Sequence, residues 1–283
     1  MYRKIAVFGV GLIGGSFGLA VKKHGLAGEI VGVGRRLKSL QKARKTGAID
    51  SYTLDVEAGF RGAELILLAA PVGAVLNLLK TGLPFLEKNQ LLTDACSTKK
   101  IVVETAEKYL PKGITFVGGH PIAGSEKRGP EAASADLFQK RVTVLTATGR
   151  TSGAHLKKIR CLWEALGSRV VVLTPTEHDR ILSLTSHLPH LLAAGETILV
   201  KRAFFRNKTD FLGTGFRDFT RIAEGDPELW TDILLTNSGN LLKDLAALEK
   251  NIAGWKKALT EKKRGRITKL LAEAGNFQKR SFP

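Results

Sequence analysis

Residues 118–129, with the sequence GGHPIAGSEKRG, are the part of this chain best suited to chemistry. They place His120 beside Pro121 between glycines, and they place Glu126 next to two basic residues. Because glycine and proline favour turns and irregular backbone, this composition predicts a shaped loop that presents His120 to a ligand. An imidazole changes its charge near neutral pH and serves as a general acid or base, so proton transfer is the chemistry to expect.

A second polar segment, DACSTK, follows an apolar run of strand length and contains Ser97. The carboxyl ends of parallel strands meet at one edge of a sheet, and ligands of open α/β proteins bind there. We therefore expect Ser97 and His120 to lie on neighbouring strand ends and to share a hydrogen bond. A Ser/His pair also serves acyl transfer, but DACSTK is not a nucleophile elbow, so a hydrolase is not favoured.

A glycine pattern lies at the first junction between a strand and a helix, in VFGVGLIGGS. Gly9, Gly11 and Gly14 form the G-x-G-x-x-G pattern of dinucleotide-binding proteins, with Leu12 and Ile13 inside it. In that pattern the glycines permit a tight turn, the approach of a pyrophosphate and close helix packing, and the helix N-terminus faces the phosphates. The motif predicts a dinucleotide cofactor.

The end of the second predicted strand bears on the choice of cofactor. NAD-binding sites usually carry an acidic residue there for the ribose hydroxyls, whereas this chain has Gly34, Arg35 and Arg36. Guanidinium groups can bind a 2′-phosphate, so the sequence favours NADP, with NAD as the alternative. The two arginines could instead stack on adenine or point to solvent.

The elements that must position these residues follow from the apolar pattern. Seven apolar runs of strand length alternate with helical patterns over the first 175 residues or so: KIAVFG, EIVGVG, AELILLAA, QLLTDA, ITFVGG, RVTVLTA and RVVVLT. Predicted helices include residues 97–110 and 155–166. Continuous runs of Val, Ile and Leu indicate strands buried on both faces, so the fold class is α/β, with a Rossmann-type doubly wound, largely parallel sheet.

After Pro175 the pattern becomes purely helical. Helical periodicity predicts helices over residues 176–200, 228–248 and 252–271, and Thr176 with Asp179 forms a capping-box pattern at the first of them. The sequence therefore predicts a dinucleotide-binding domain over residues 1–174 and an all-helical substrate and dimerisation domain over residues 175–283. The long apolar helices have more apolar surface than one copy can bury, which predicts a homodimer.

Composition narrows the class of protein. The 283 residues are 43% hydrophobic and 25% charged, as in globular proteins. The longest uncharged stretch, residues 65–79, is too short to span a membrane, and the apolar run at residues 5–8 leaves no room for a secretory signal. Cys96 and Cys161 have no metal-binding spacing, which suggests a reducing cytoplasm.

The net charge of +18 raises the question of nucleic-acid binding. The basic residues are spread along the chain, with the highest densities in residues 201–208 and 256–280, and no recognition motif accompanies them. Nucleic acid is therefore not an expected partner, since anionic substrates or cofactors explain the charge as well.

Taken together, five motifs resemble those of the prephenate/arogenate dehydrogenase family of tyrosine biosynthesis. They are GVGLIGGS, DACSTK, GGHPIAGSEKRG, SHLPH and FRDFTRIAEGDPELW, and the resemblance runs in order over residues 5–255. It implies a Rossmann domain followed by a helical dimerisation domain. It also implies an NAD(P)-dependent oxidative decarboxylation, of prephenate to 4-hydroxyphenylpyruvate or of arogenate to tyrosine.

The resemblance also implies roles for individual residues. His120 would accept the proton of the ring 4-hydroxyl, and Ser97 would orient His120. Arg221 would hold the ring carboxylate, and Glu126 would tune that arginine. The remaining substrate-pocket residues would be Ser125, His187, His190 and Trp230. His24, His155 and His178 are interpreted as surface or capping residues.

Several alternatives stay open. Arg221 could pair with Asp218, three residues earlier, on the surface, and the two histidines of SHLPH could bind a metal, although no third ligand is evident nearby. Pro189 between them frees the carbonyl of Thr185 and so predicts a bent helix. Another Rossmann-plus-helical oxidoreductase, or a non-catalytic dinucleotide-binding protein, would share the first motif. Between the two substrates, His190 favours prephenate because an imidazole can donate to a pyruvyl oxygen.

Overall fold

The structure is a computed structural model that describes residues 1–124, 129–203 and 209–281. The chain forms two compact units, residues 1–237 and residues 238–283. The predicted domain boundary at residue 174 stays a prediction, since the compact units divide later in the chain. Every residue of the candidate site described below belongs to the first unit.

The first unit is built on a single sheet. Within the described residues, eight strands form it in the order β3-β2-β1-β4-β5-β6-β7-β8. Their bounds are β1 Tyr2–Phe8, β2 Ala27–Val33, β3 Ser51–Thr53, β4 Leu65–Leu68, β5 Leu91–Asp94, β6 Thr115–Pro121, β7 Val142–Thr146 and β8 Arg169–Leu173. All neighbours are parallel except β6 and β7, which pair antiparallel. The predicted doubly wound, largely parallel sheet is confirmed.

Helices connect the strands and continue after them. In the first unit they are α1 Leu12–Lys23, α2 Leu37–Lys45, α3 Val56–Phe60, α4 Val72–Thr81, α5 Lys100–Tyr109, α6 Gly153–Ala165, α7 Pro175–Leu182, α8 Leu188–Ala203, α9 Thr214–Thr220 and α10 Pro227–Thr236. The second unit contains α11 Ser238–Thr260 and α12 Arg264–Ser281.

The apolar strands are buried on both faces of the sheet. Along β1, Ile5 and Val7 pack in one apolar cluster, whereas Ala6 and Phe8 pack in another. Since neighbouring side chains of a strand point to opposite faces, each face of the sheet has its own core. This explains why the strand runs are apolar without alternation. The short strand β3 escaped prediction because its sequence, SYT, is polar and only half-buried.

The helical half divides differently from the prediction. The helix predicted over residues 228–248 is interrupted at Asn237, and the one predicted over residues 252–271 is interrupted at residues 261–263, where Lys262 has a φ of 49°. Left-handed backbone of this kind ends a helix. Both boundaries depend on single residues that do not disturb the apolar periodicity. The periodicity therefore predicted helices that continue across both boundaries.

The helix predicted over residues 176–200 has three parts. A π-helical segment, Ser183–His187, lies between α7 and α8 and immediately precedes Leu188 and Pro189. Pro189 has no N–H to donate to the carbonyl of Thr185, which agrees with the predicted irregularity. The predicted capping box is corrected: Thr174, not Thr176, caps α7, and Glu177 closes the box. Pro175 occupies the first helical position, where no N–H is needed.

Within the described residues, no helix is both long enough and apolar enough to cross a membrane.

Candidate active site

The turn after β1 has the geometry that the glycine pattern predicts. Gly9 has a φ of 95°, and a Cβ there would lie 2.5 Å from the carbonyl oxygen of Ala69. A Cβ on Gly14 would overlap the carbonyl oxygen of Gly9. Both positions therefore require glycine for reasons internal to the protein, namely left-handed backbone and close packing.

Gly11 differs from these two glycines because a Cβ there would meet nothing within 4 Å. Gly11 is the N-cap of α1, no side chain caps the helix, and no acidic residue lies in its first turn, which begins with Leu12 and Ile13. Uncapped backbone N–H groups at the positive end of a helix dipole attract phosphate oxygens. The open space at Gly11 and these donors fit the pyrophosphate of a dinucleotide.

The residues predicted to read the ribose lie where expected. Arg35 and Arg36 follow β2 directly, both are exposed, and Arg36 is the N-cap of α2. The loop between β2 and α2 contains no carboxylate. A guanidinium group there is accessible to a ligand phosphate.

His120 lies in strand β6, and this corrects the predicted loop. His120 pairs with Val144 of β7, and Gly118 and Gly119 pair with the same strand. A Cβ on Gly118 would overlap the hydroxyl of Thr146, and one on Gly119 would lie 2.6 Å from the carbonyl oxygen of Asp94. The two glycines therefore serve close strand packing rather than a turn. His120 is held by the sheet at its carboxyl edge, the same edge as the turn after β1.

A buried ion pair supports this strand end. Lys99 and Asp94 are fully buried and form a salt bridge, and the Lys99 ammonium also donates to the carbonyl of Gly119 at 2.8 Å. Asp94 accepts hydrogen bonds from the amides of Gly119 and Cys96, at 2.9 Å and 3.0 Å. The backbone beside His120 is thus anchored to β5 by a charged network that water does not reach.

The hydrogen-bond partner of His120 is His178. His120 Nδ1 lies 2.8 Å from His178 Nε2, and His178 Nδ1 lies 2.8 Å from Asp179 Oδ1. Asp179 also accepts the backbone amides of Lys99 and Lys100, at 2.7 Å and 3.0 Å. His178 is completely buried, so its interpretation as a surface or capping residue was wrong.

The surroundings hold this histidine pair neutral. Burial lowers the pKa of His120 well below its usual range, and electrostatic interactions with His178, Lys99 and His187 lower it further. Burial also lowers the pKa of His178, although Asp179 opposes this. For Asp179, burial would raise the pKa, but the hydrogen bonds from His178 and the two lysine amides outweigh it and the pKa falls. A neutral imidazole beside a sheet edge can accept a proton at neutral pH.

The predicted hydrogen bond from Ser97 to His120 does not occur. Ser97 is half-buried in the loop after β5, and among the hydrogen bonds of the described residues none joins its side chain to His120. His120 Nδ1 is hydrogen-bonded to His178 instead. Two further predicted residues, Ser125 and Glu126, lie outside the described residues.

A second cluster contains His187, His190 and Trp230. His190 stacks on the indole of Trp230 with ring centroids 3.5 Å apart, and His187 faces the edge of the same indole at 6.4 Å. Gly225 lies against the stack, because a Cβ there would overlap Trp230 Nε1 and lie 2.7 Å from His190 Cε1. The structure therefore brings these three predicted pocket residues together.

The two histidines of this cluster each have one buried ring nitrogen without a hydrogen-bond partner among the described residues. His187 and His190 are buried, yet His187 Nε2 and His190 Nδ1 have no hydrogen-bond partner within the described part of the chain. Asn237 Nδ2 lies 3.1 Å from His187 Nδ1, and it also donates to the carbonyl of Asp179 at 2.7 Å. Since an amide N–H₂ only donates, His187 Nδ1 accepts and the proton of this neutral ring is on Nε2. Burial lowers the pKa of His187 to about 4, so the ring is neutral at pH 7.

Arg221 is exposed at the start of a short 3₁₀ segment, Arg221–Glu224, that follows α9. Its guanidinium is therefore accessible to solvent and to an anionic ligand. Its role in binding a carboxylate stays a prediction.

Four residues of the His120 network were missed from the sequence: Asp94, Lys99, His178 and Asp179. One signal was present, since Asp94 is the last residue of the buried strand β5 and a carboxylate there must find a partner. The pair His178 and Asp179 gave no such signal, because its partners are 58 and 80 residues away along the chain.

These features define the class of the protein before any comparison. A doubly wound sheet, a dinucleotide-binding turn after its first strand and a neutral histidine at the same sheet edge are the parts of a Rossmann-type, NAD(P)-dependent oxidoreductase.

Comparisons with known proteins give the family. The prephenate dehydrogenase nucleotide-binding domain matches residues 17–172, and the prephenate dehydrogenase dimerization domain matches residues 174–273. The chain belongs to the prephenate dehydrogenase family.

Individual relatives agree with this assignment. The chain is 36% identical over 253 residues to a prephenate dehydrogenase of Bacillus subtilis, covering 86% of this chain and 66% of the relative. It is 34% identical over 263 residues to a cyclohexadienyl dehydrogenase of Zymomonas mobilis, covering 92% and 88%. The crystal structure of prephenate dehydrogenase from A. aeolicus in complex with hydroxyphenyl propionate and NAD+ has a TM-score of 0.92 and 31% identity, and 98% of each chain is covered.

Proposed function

We propose that this protein catalyses the NAD(P)-dependent oxidative decarboxylation of prephenate to 4-hydroxyphenylpyruvate in L-tyrosine biosynthesis. The observation that carries the proposal is the neutral His120 at the carboxyl edge of the sheet, the edge at which the dinucleotide turn also lies. The bound nicotinamide supplies the hydride acceptor. The protein then has to orient the ring and remove one proton.

In this proposal His120 accepts the proton of the ring 4-hydroxyl while the hydride leaves the same carbon. The ring carboxylate departs as CO₂, its bonding electrons complete the aromatic ring as a phenolate, and the phenolate oxygen takes back the proton from His120 to give the phenol. A general base contributes about 10²- to 10⁴-fold to such a step. Ser97 lies near the same hydroxyl and the nicotinamide, and Ser125 and Glu126 contribute to the pocket.

Arg221 binds the ring carboxylate in this scheme. Arginine suits a carboxylate because two parallel N–H donors match its two oxygens. The exposure of Arg221 supports this role, since the guanidinium is accessible to a substrate.

Prephenate is the substrate that we propose, and arogenate is the alternative. They differ at the side chain, which carries a keto group in prephenate and an ammonium group in arogenate. His187 and His190 offer ring nitrogens without partners among the described residues, and His187 presents an N–H donor suited to a keto or carboxylate oxygen. The segment SHLPHLLAAGE contains no carboxylate before Glu196 that would bind an ammonium group. The similarity to a cyclohexadienyl dehydrogenase supports testing both substrates.

For the cofactor we propose NADP, because Arg35 and Arg36 stand where an acidic residue would bind the NAD ribose. NAD is the alternative, and the complex of the A. aeolicus relative with NAD+ supports it.

The direct test combines the purified protein with prephenate or arogenate and with NAD or NADP, and follows the absorbance of the reduced nicotinamide. We expect reduction with prephenate and a higher kcat/KM with NADP. A protein that binds the dinucleotide but reduces it with neither substrate would overturn the proposed activity.

Two variants test the substrate assignment. His190→Ala should lower kcat/KM for prephenate by up to about tenfold, the value of one hydrogen bond, and should change arogenate turnover less. Arg221→Ala is the matched control, because the ring carboxylate is common to both substrates and both should be penalised equally. A wild-type preference for arogenate, or an unchanged substrate ratio in His190→Ala, would contradict the assignment.

We also propose that the protein is a homodimer formed through its helical domain, in the cytoplasm. Large apolar side chains of α11 and α12 are more than half exposed, namely Leu242, Ile252, Leu259, Leu271 and Phe277. The match to the dimerization domain supports the same assembly. Cys96 and Cys161 are both free thiols, which is compatible with a reducing compartment. Sedimentation equilibrium should give twice the mass of the chain, and a monomer at micromolar concentration would contradict the dimer.

A further inference from the structure

We infer that His178 and Asp179 are positioning residues that hold His120 in one tautomer, with its proton on Nδ1 and its lone pair on Nε2. The catalytic consequence of this inference rests on the proposed function, but the tautomer itself is a property of the folded protein.

Asp179 terminates the series of hydrogen bonds that connects it through His178 to His120, because an ionised carboxylate only accepts hydrogen bonds. Its Oδ1 accepts the amide of Lys99 and its Oδ2 accepts the amide of Lys100. The contact of 2.8 Å between Oδ1 and His178 Nδ1 therefore requires the proton to be on His178. The direction of this hydrogen bond is fixed by the chemistry of the acceptor.

His178 transmits that direction to His120. A neutral imidazole carries one proton, so a ring protonated at Nδ1 has a lone pair at Nε2. His178 Nε2 lies 2.8 Å from His120 Nδ1, and a hydrogen bond at that distance needs one donor. His120 Nδ1 must therefore donate, which leaves the lone pair of His120 on Nε2.

The charged groups around the pair favour two neutral rings over an imidazolium. The Lys99 ammonium lies on the side of β5 and α5, and it is paired with Asp94 and the carbonyl of Gly119. His187 approaches from the π-helical segment and is itself neutral at pH 7. His120 is half-buried, and a positive charge on its ring would be repelled by Lys99, which agrees with the lowered pKa of His120.

The same series of hydrogen bonds can stay in place while His120 accepts a proton. When Nε2 takes a proton, the imidazolium keeps its Nδ1–H on His178, and no ring has to rotate. The Asp179 carboxylate stabilises the new charge from two hydrogen bonds away. A change of tautomer at His178 would instead direct a proton at His120 Nδ1 and move the lone pair of His120 from Nε2 to Nδ1.

The first test measures the tautomer without any substrate. Protein labelled with ¹⁵N in its six histidines would be examined by NMR at neutral pH, and the His120→Asn variant would assign the His120 signals. We expect a protonated Nδ1 and an unprotonated Nε2 for His120 in the wild type. A proton on Nε2 of neutral His120 would overturn the inference, whether or not the protein oxidises prephenate.

The second test uses a matched pair of variants at His178. His178→Phe keeps a ring but has no acceptor for His120, and we expect kcat to fall about 10²-fold with little change in KM. His178→Gln retains a carbonyl oxygen that can accept from His120 Nδ1, and we expect it to recover much of the loss. Near-UV circular dichroism would verify the fold of both variants.

The pH profile separates positioning from a purely structural role. We expect the acidic limb of kcat for His178→Phe to move from its wild-type position, because the partner of the base has changed. A folded His178→Phe protein with wild-type kcat and pH profile would overturn the positioning role. If the variants do not fold, the tautomer in the wild type decides the matter.

Discussion

Removal of the buried ammonium of Lys99 should destabilise the protein strongly. In Lys99→Met the side chain keeps much of its length and its apolar stem, while the charge is lost. Asp94 is fully buried and would retain two donors, the amides of Gly119 and Cys96. The carbonyl of Gly119 would lose the hydrogen bond of 2.8 Å that the ammonium now donates.

The magnitude follows from the burial of both charges. Breaking a buried ion pair by removing one partner costs about 3–5 kcal/mol, because the remaining charge is left uncompensated. The two amide donors that stay on Asp94 place the expected loss near the lower end, at about 3 kcal/mol. For a chain of this size each kcal/mol lowers Tm by about 2–4 °C, so Tm should fall by about 6–12 °C.

Thermal and urea unfolding of Lys99→Met would measure this loss against a matched control. Lys23→Met removes an ammonium from the exposed pair with Asp136, whose side chains are 49% and 60% exposed, and should cost at most about 1 kcal/mol. The double variant Asp94→Asn with Lys99→Met removes both charges and should recover part of the stability, because the Asn side chain keeps one acceptor oxygen for the two backbone amides. Equal losses in Lys99→Met and Lys23→Met would refute the reasoning, since they would mean that water screens the buried pair.

Three further outcomes are expected. His120→Asn should keep dinucleotide affinity, because the turn after β1 is untouched, and should lower turnover by about 10²- to 10⁴-fold; near-normal turnover would remove His120 as the base. Gly34→Asp should shift the preference from NADP toward NAD by repelling a 2′-phosphate, and an unchanged ratio of kcat/KM values would show that this turn does not discriminate. The depressed pKa of His187, about 4 against an ordinary value of 6.5, predicts stability that is complete above pH 6.5 and is lost as the pH falls toward 4, by about 1.4 kcal/mol per pH unit. Urea unfolding across that range should show a smaller loss in His187→Asn than in the wild type.

Much of the fold could be predicted because its signals are local. The apolar runs of β1, β4 and β5 indicated strands buried on both faces, and the glycine pattern indicated the turn after β1. Each of these depends on the residue types within a few positions. The break at Asn237 could not be found in the same way, because this residue ends α10 while its side chain reaches the carbonyl of Asp179.

The candidate site was predicted in its residue types more than in its connections. The segment around His120 was predicted to be functional from its unusual composition, but Gly118 and Gly119 were assigned to a turn. Gly118 and Gly119 are instead needed where β6 approaches Thr146 and Asp94, a requirement set by other strands. The hydrogen bond between His120 and His178 joins residues 58 positions apart, and periodicity in the sequence cannot predict a contact between residues so far apart.

The side chain of Asn237 links two parts of the site that were described separately. Its Nδ2 donates to the carbonyl of Asp179, whose side chain is hydrogen-bonded to His178, and it also donates to the ring of His187. A displacement of His187 by a ligand would pull on that amide and so act on the segment that carries His178. The free-energy changes of substitutions at His187 and at His178 should therefore not add, and the pair should behave as one cooperative unit.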